Sequence, residues 1–194
     1  YNNLIYEMNL NINPEKVAMF PSGIIEKSVL LKNNNKDIKK EKQCLIYYKK
    51  RREEELNELI GYLNSRNINF KLFEYGTYRN KELIKEAKLS QYGIILGSTE
   101  SQGFAIQELL ASNLPLVVID KKTNKYSGYE LSGTTVPFWN EKCGIKVDDI
   151  GDFKNKFNNF LSRNKEFSPS KLVLSDLTYE VFVNNLINEF KKDF

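Results

Sequence analysis

Residues 92–119 read YGIILGSTESQGFAIQELLASNLPLVVI, with two apolar runs on either side of an amphipathic segment. The runs at 92–96 and 116–119 are short and uninterrupted, which is typical of strands covered on both faces of a parallel sheet. The segment at 101–111 begins with polar residues and glycine and predicts a helix. Strand, helix and strand in this order predict a βαβ unit whose two strands run parallel.

The same alternation continues on both sides of this unit. Further strands are predicted at 44–48, 70–73 and 144–147. Further helices are predicted at 53–63, from a cap at Asn80, from Asp149 or Asp152, and from about Asp176. The last helix is expected to bury four apolar side chains, those of Leu177, Val181, Leu186 and Phe190. The predicted fold class is α/β, a Rossmann-like parallel sheet with helices on both faces.

The composition excludes several classes of site. None of the 194 residues is histidine, which removes histidine-based triads, histidine metal ligands and a histidine general base. The two cysteines, Cys44 and Cys143, form no disulfide or zinc pattern, and this favours a reducing, cytoplasmic compartment. The net charge of +4 is spread along the chain, which suits an anionic small molecule better than nucleic acid. No apolar run approaches the roughly 18 residues of a membrane span.

The segment that follows the strand at 92–96 carries the residues best suited to chemistry. Glu100 and Glu108 are eight positions apart and flank Gly103, where the backbone can approach a ligand closely. Free amides at a helix start favour a phosphate. If the whole span were helical, the carboxylates would be about 12 Å apart along the axis, comparable with the reach of a nucleotide sugar. The alternative is that residues 99–101 cap the helix and Glu108 is solvated.

Glu100 through Glu108 resembles the E-x7-E signature of retaining GT-B glycosyltransferases of the large group 1 or family 4 kind. The continuation LLASNLPLVV at 109–118 resembles their EAxAxGxPVV pattern. TTVPFW followed by CG at 143–144 resembles a TSVPYF…CG segment of one branch. FPSGI at 20–24 resembles the PNGV hinge between the two GT-B domains, and the whole resemblance covers roughly residues 17–190.

This resemblance implies that the chain is the C-terminal, donor-binding half of such an enzyme. Residues 1–25 would be the hinge and a remnant of the N-terminal acceptor domain, 26–175 the nucleotide-sugar-binding domain, and 176–194 a C-terminal helix that packs back toward the hinge. The polar, lysine-rich stretch at 32–42 predicts an exposed loop. The sequence departs from the family at Ala105, where a second glycine or another small residue is common, and at Ser112-Asn113, which replace a small-Gly pair.

The resemblance also implies roles for the residues of the motif. Glu100 is the candidate catalytic residue, in contact with hydroxyls of the transferred sugar, and Glu108 would accept hydrogen bonds from the ribose. The amides of Gly103 and Phe104 would hold the distal phosphate and the sugar, and Ser101 belongs to the same donor-binding loop.

Basic residues after the first strand of this domain neutralise the leaving diphosphate in the family. The residues in that place here are Lys49, Lys50, Arg51 and Arg52. The alternative for this cluster is a solvated helix start. No essential metal is expected, and Asp148-Asp149 is interpreted as a helix cap.

Tyr75 and Gly76 follow the second strand, where this fold usually cradles the base. The tyrosine could stack on the base, or the two residues could form a plain turn with an anchoring aromatic ring. Phe138 and Trp139 are interpreted as packing residues rather than as walls of the donor pocket.

The expected reaction is transfer of a sugar from a nucleotide-diphosphate sugar, with retention, to an acceptor glycan, lipid or protein. Acceptor binding and any peripheral membrane association would belong to the N-terminal half, without which this chain is expected to be inactive. Two alternatives stay open, a GT-B-like sugar-nucleotide epimerase and a non-catalytic nucleotide-binding subunit. A dehydrogenase is disfavoured because the chain has no G-x-G-x-x-G pattern, and no P-loop pattern occurs either.

Overall fold

The computed structural model describes residues 20–34, 43–126 and 128–192. The predictions for residues 1–19, and for most of the loop at 32–42, lie outside these ranges. The described strands are β1 (Gln43–Lys49), β2 (Asn69–Glu74), β3 (Tyr92–Gly97), β4 (Leu116–Ile119), β5 (Thr123–Tyr126), β6 (Tyr129–Ser132) and β7 (Gly144–Val147). The described α-helices are α1 (Lys27–Asn34), α2 (Glu53–Ser65), α3 (Asn80–Leu89), α4 (Phe104–Ala111), α5 (Ile150–Arg163), α6 (Ser170–Asp176) and α7 (Tyr179–Phe190).

Five strands form one parallel sheet in the order β2-β1-β3-β4-β7, and β5 and β6 form a separate antiparallel hairpin. Leu59 of α2 and Phe157 of α5 pack on one face of the sheet, while Leu83 of α3, Leu109 of α4 and Val173 of α6 pack on the other. The chain is thus an α/β protein with a Rossmann-like parallel sheet and helices on both faces, as predicted.

The positions of the helices follow from the strand order. α2 leads from β1 outward to β2, whereas α3 leads back across β1 to β3, and α4 continues in the same direction to β4. Because parallel crossovers are right-handed, a reversal of direction places α2 on the opposite face from α3 and α4. The point of reversal, between β1 and β3, is where ligands bind in open sheets of this type.

One glycine is required by the pairing of β4 with β7. Gly144 pairs with Leu116, and an ideal Cβ on Gly144 would lie 1.9 Å from the carbonyl oxygen of Leu116. Its φ of 137° also lies in a region that residues with a side chain rarely adopt. No other residue type fits at the start of β7.

The helix predicted at 101–111 begins at Phe104 instead, three residues later. Gly103 has φ 65° and ψ 45°, a left-handed conformation that cannot continue into a right-handed helix. Ser101 therefore lies in a loop, and Glu100 and Glu108 are not on one continuous helix. The separation of about 12 Å between the two carboxylates, which a continuous helix would give, therefore does not apply.

Two predicted helix caps have different outcomes. Asp149 caps α5, since its carboxylate accepts the backbone N–H of Asp152 at 2.8 Å. The prediction that Asn80 caps α3 is wrong. The residue before α3 is Arg79, whose backbone N–H donates to the carboxylate of Glu82 at 3.3 Å.

The helix predicted from about Asp176 begins at Tyr179, as α7. The preceding helix, α6, ends at Asp176, and Leu177 and Thr178 lie between the two. Leu177 is fully buried as predicted, but Phe190 is 62% exposed, and Val181 and Leu186 are only half-buried. The burial predicted for these three residues is wrong, because all three lie on α7, a helix capped by the Thr178 hydroxyl that has no fully buried residue.

Residues 20–25 run beside the junction of α6 and α7. The N–H of Ile24 donates to the carbonyl of Leu177 at 3.0 Å, and the N–H of Tyr179 donates to the carbonyl of Ile25 at 3.0 Å. An ideal Cβ on Gly23 would lie 2.6 Å from the Cα of Tyr179, so the approach depends on glycine. Among the helices in the described ranges, none combines the length and apolar character that crossing a bilayer requires.

Candidate functional site

The carboxyl ends of β1, β2, β3 and β4 meet at one edge of the sheet because these strands are parallel. The segments that leave this edge contain all the residues predicted from the sequence to bind the donor. At the point of reversal, Lys49 at the end of β1 pairs in register with Gly97 at the end of β3. The candidate site is therefore built around the ends of these two strands.

Lys49, Glu100 and Tyr75 come together at this point. The Lys49 ammonium lies 2.6 Å from Oε1 of Glu100, and 4.3 Å from the centre of the Tyr75 ring. The Lys49 and Glu100 side chains are only 15% and 13% exposed, so water screens their attraction less than it would at the open surface. Both charges are held in place before any ligand contacts them.

Backbone contacts fix the two residues around Lys49. The Glu100 N–H donates to the carbonyl of Thr134 at 2.9 Å, and the Tyr75 N–H donates to the carbonyl of Tyr48 at 2.9 Å. The Tyr75 ring is 52% exposed. It lies over Lys49, beside Glu100, and the predicted stacking on a nucleotide base stays a prediction. Gly76, with φ 89°, forms the exposed turn that follows.

Glu108 projects from α4 and is half-buried. Burial raises the pKa of its carboxyl group above the ordinary value, and a hydrogen bond from Asn80 partly opposes that shift. The Asn80 Nδ2 donates to Oε1 of Glu108 at 2.8 Å. The sequence interpretation missed this partnership, although the strand order implies it, since the starts of α3 and α4 lie side by side on one face.

Tyr78 lies close to both glutamates. Burial raises the pKa of the Tyr78 hydroxyl, and the charges of Glu108 and Glu100 raise it further. Beneath it, burial and a hydrogen bond to Tyr78 raise the pKa of Tyr47. These two tyrosines stay neutral at physiological pH and can donate hydrogen bonds, and the sequence interpretation did not single them out.

Gly103 gives the loop before α4 its shape. Its left-handed backbone turns the chain so that Phe104 begins the helix, and the first amides of a helix have no acceptor within it. The Gln107 side chain donates to the carbonyl of Gln102 and braces the loop. Ser101 and Phe104 are exposed beside these amides, so a ligand can reach them.

The structure divides the basic run that follows β1. Arg51 is structural: its Nη1 donates to the carbonyls of Gly97 at 3.3 Å and Ile119 at 3.1 Å, and its Nε donates to Glu55 at 3.1 Å. This guanidinium lowers the pKa of the Glu55 carboxyl group, chiefly through its hydrogen bonds. Arg51 is thus committed to joining the ends of β3 and β4 to α2.

Lys50 and Arg52 line, together with Arg51, an open pocket of about 440 Å³. Its lining residues are Lys50, Arg51, Arg52, Glu55 and Lys121. Four cations thus face one carboxylate, which already pairs with Arg51. Lys121 follows β4 and was not predicted, because its position beside the β1–α2 loop depends on the strand order. We call this cavity the basic pocket.

The two aromatic residues and the two cysteines considered in the sequence analysis pack in or against the core. Phe138 and Trp139 are half-buried against the core, in line with the packing interpretation. Both cysteines are buried, and burial raises the pKa of the Cys44 thiol to about 12, so it is not a nucleophile at neutral pH. Among the described residues, no group of three or more cysteine, aspartate and glutamate side chains is arranged to hold a metal ion.

Comparison of the chain with protein-family models, with curated proteins and with solved structures finds no match in any of the three. The structure alone therefore gives the fold class and the geometry of the site, from which we infer a function below.

Proposed function

We propose that this chain is the donor-binding domain of a GT-B glycosyltransferase, and that it binds a nucleotide-diphosphate sugar. The observation that carries the proposal is the Lys49–Glu100 pair at the reversal point of the sheet, with Glu100 and Glu108 both close enough to Tyr78 to raise the pKa of its hydroxyl. Lys49 supplies a cation and the two glutamates supply acceptors for hydroxyl groups. A nucleotide-diphosphate sugar carries both kinds of partner, anionic phosphates and sugar hydroxyls at each end.

The donor would lie along the loop and the first turn of α4. Glu108 would accept hydrogen bonds from the ribose, and Glu100 from the transferred sugar. The amides of Gly103 and Phe104 would hold the distal phosphate at a helix start, where partial positive charge favours an anion. The half-burial of Glu108 supports this arrangement, since a desolvated carboxylate gains more from a new hydrogen-bond donor than a solvated one.

The leaving diphosphate needs compensating positive charge in the transition state. Lys49 is placed to supply it, and Lys50, Arg52 and Lys121 of the basic pocket add a positive field on the neighbouring side of β1. In a retaining transfer on one face of the sugar, the leaving phosphate takes the acceptor proton, so a chain without histidine can support the reaction. The acceptor would be held by the other domain of a GT-B enzyme.

Calorimetric titration of the chain with UDP, GDP, ADP and CMP tests the proposal. We expect one of these nucleotides to bind, and binding to weaken by about 1–3 kcal/mol in Glu108→Ala, the scale of a lost hydrogen bond to a charged group. Glu141→Ala is the matched control, because Glu141 is exposed and precedes β7 at the opposite edge of the sheet.

Absence of binding by the folded chain, or equal weakening by both substitutions, would count against the donor site. A non-catalytic nucleotide-binding subunit would give the same result in this titration, including the loss of affinity in Glu108→Ala. Transfer or hydrolysis of the sugar by the chain joined to an acceptor domain would separate the enzyme from that alternative.

A further inference from the structure

Asp120 is a buried carboxylate that the proposed donor site does not use directly. It follows β4, and its side chain is 8% exposed. One oxygen, Oδ1, accepts hydrogen bonds from the Thr134 hydroxyl and from the Thr135 backbone N–H, both at 2.8 Å. A buried carboxylate that receives two donors fixes the segment that supplies them.

The segment held by Asp120 in turn holds the backbone of Glu100. The carbonyl of Thr134 accepts the Glu100 N–H at 2.9 Å. The Thr135 hydroxyl donates to the carbonyl of Gly97 at 3.3 Å, at the end of the strand that leads to Glu100. Two hydrogen bonds thus connect residues 134 and 135 to the residues that determine where Glu100 lies.

The other oxygen of Asp120 faces a cation. The Lys146 ammonium on β7 lies 3.6 Å from Oδ2 of Asp120 and is 37% exposed. This pair reduces the cost of burying the carboxylate charge while leaving Oδ1 for the two threonines. The backbone N–H of Asp120 donates to the carbonyl of Val147 at 2.8 Å, so both the backbone and the side chain of Asp120 are anchored to β7.

We propose that Asp120 is a positioning residue, which acts through Thr134 to hold the Glu100 backbone at the end of β3 and so sets where the Glu100 carboxylate meets the sugar. The sugar contact rests on the proposed function, whereas the link from Asp120 to Glu100 does not. A purely structural role would end at the anchoring of the β5–β6 hairpin and would leave Glu100 unaffected.

Amide hydrogen exchange in the full chain tests the link without any ligand. In Asp120→Ala we expect the Glu100 amide to exchange at least about tenfold faster, because its acceptor is no longer held, while the amides within β3 keep their protection. Asp120→Asn retains an accepting oxygen for the two threonines and should restore most of the protection. Asp148→Ala is the control, since Asp148 is 67% exposed and pairs with Lys122 at 2.5 Å.

The second readout is the difference in affinity between a nucleotide sugar and its own diphosphate. UDP-glucose, GDP-mannose and ADP-glucose would each be compared with the matching nucleoside diphosphate. We expect Asp120→Ala to weaken binding of the nucleotide sugar several-fold more than binding of the diphosphate, because the contact of Glu100 with the sugar is lost only for the nucleotide sugar.

Each outcome decides one of the two proposals. Unchanged exchange at Glu100 in folded Asp120→Ala, or faster exchange confined to residues 134 and 135, overturns the positioning role. If Asp120→Ala does not fold, Thr134→Val removes only the hydroxyl and must still speed exchange at Glu100. If the wild-type chain binds no nucleotide, the donor site fails, and the exchange experiment still determines whether Asp120 positions Glu100.

Discussion

The two sides of β1 at its carboxyl end hold their charges in opposite ways. On the side of α4, Lys49 pairs with Glu100, and Glu108 accepts from Asn80. In the basic pocket, on the side of α2, Lys50 and Lys121 have no carboxylate paired with them among the described residues. The first group is set in position by the fold, while the second is available to whatever anion approaches.

This division arises although the basic residues are consecutive in sequence. Lys49 is the last residue of a strand, so its side chain leaves on the same face as Tyr47 and reaches Glu100 in the loop before α4. After it the chain turns, with Lys50 in a left-handed conformation at φ 50°. Arg51 then folds back onto the strand ends. Neighbouring positions with the same charge therefore have three different roles.

The largest effect should come from Arg51, the residue of the basic run that is committed to structure. Arg51→Ala leaves the carbonyls of Gly97 and Ile119 without this donor and removes the main partner of Glu55. We expect the free energy of unfolding to fall by about 2–3 kcal/mol, as for loss of a mostly buried charged hydrogen-bonding group. Urea unfolding followed by circular dichroism measures the change.

Arg52→Ala is the matched substitution for this prediction. The Arg52 side chain is 78% exposed and its nearest carboxylate oxygen, on Glu55, is 3.6 Å away. It should change the free energy of unfolding by no more than about 0.5 kcal/mol. Equal losses in the two variants would mean that the basic run does not divide into a structural and an available part.

A smaller effect, of opposite sign, is expected at Glu108. Burial raises its pKa in the folded state, so the folded protein binds the proton more tightly than the unfolded chain does. Stability therefore falls as pH rises from the ordinary value of 4.5 through the raised pKa. Glu108→Gln keeps an acceptor for Asn80 and removes the charge, and it should stabilise the chain at pH 7 by up to about 1 kcal/mol.

The measurement is the midpoint of thermal unfolding of both proteins across this pH range. The advantage of the variant should disappear at pH 4 and below, where the wild-type carboxyl group is also protonated. A variant that is less stable at pH 7, or a difference that does not change with pH, would contradict the assigned effect of burial. A gain in stability together with weaker nucleotide binding would identify Glu108 as a residue retained for binding.

Local patterns predicted the sheet better than the edge that carries the site. The apolar runs at 92–96 and 116–119 lie within β3 and at β4, since a strand buried on both faces leaves a continuous signal. The start of α4 was misplaced because a left-handed Gly103 and a helical glycine look the same in sequence. The β5–β6 hairpin was missed because its exposed strands carry few apolar residues.

The residues of the candidate site could be singled out only in part, for a related reason. Glu100, Gly103 and Glu108 lie within nine residues, so spacing alone could single them out. Asn80, Lys121 and Asp120 join them only through the order of the strands, which the sequence does not state. Prediction of the residues that neighbouring strands bring together requires knowledge of the sheet topology. Prediction of the residues within one loop does not.

The smallest effect on stability should come from the basic pocket. Lys50→Ala and Lys121→Ala remove ammonium groups that pair with no carboxylate in the described ranges, so each should alter the free energy of unfolding by less than about 0.5 kcal/mol. Removal of these cations should instead weaken binding of a nucleoside diphosphate several-fold, and the loss should shrink as salt is raised, because ions screen exposed charges. Titrations at low and high salt, with Lys156→Ala as the control on the exposed face of α5, measure it. Equal affinity in all three variants would leave Lys49 as the cation that serves the diphosphate, and would confine the anion site to the α4 side of β1.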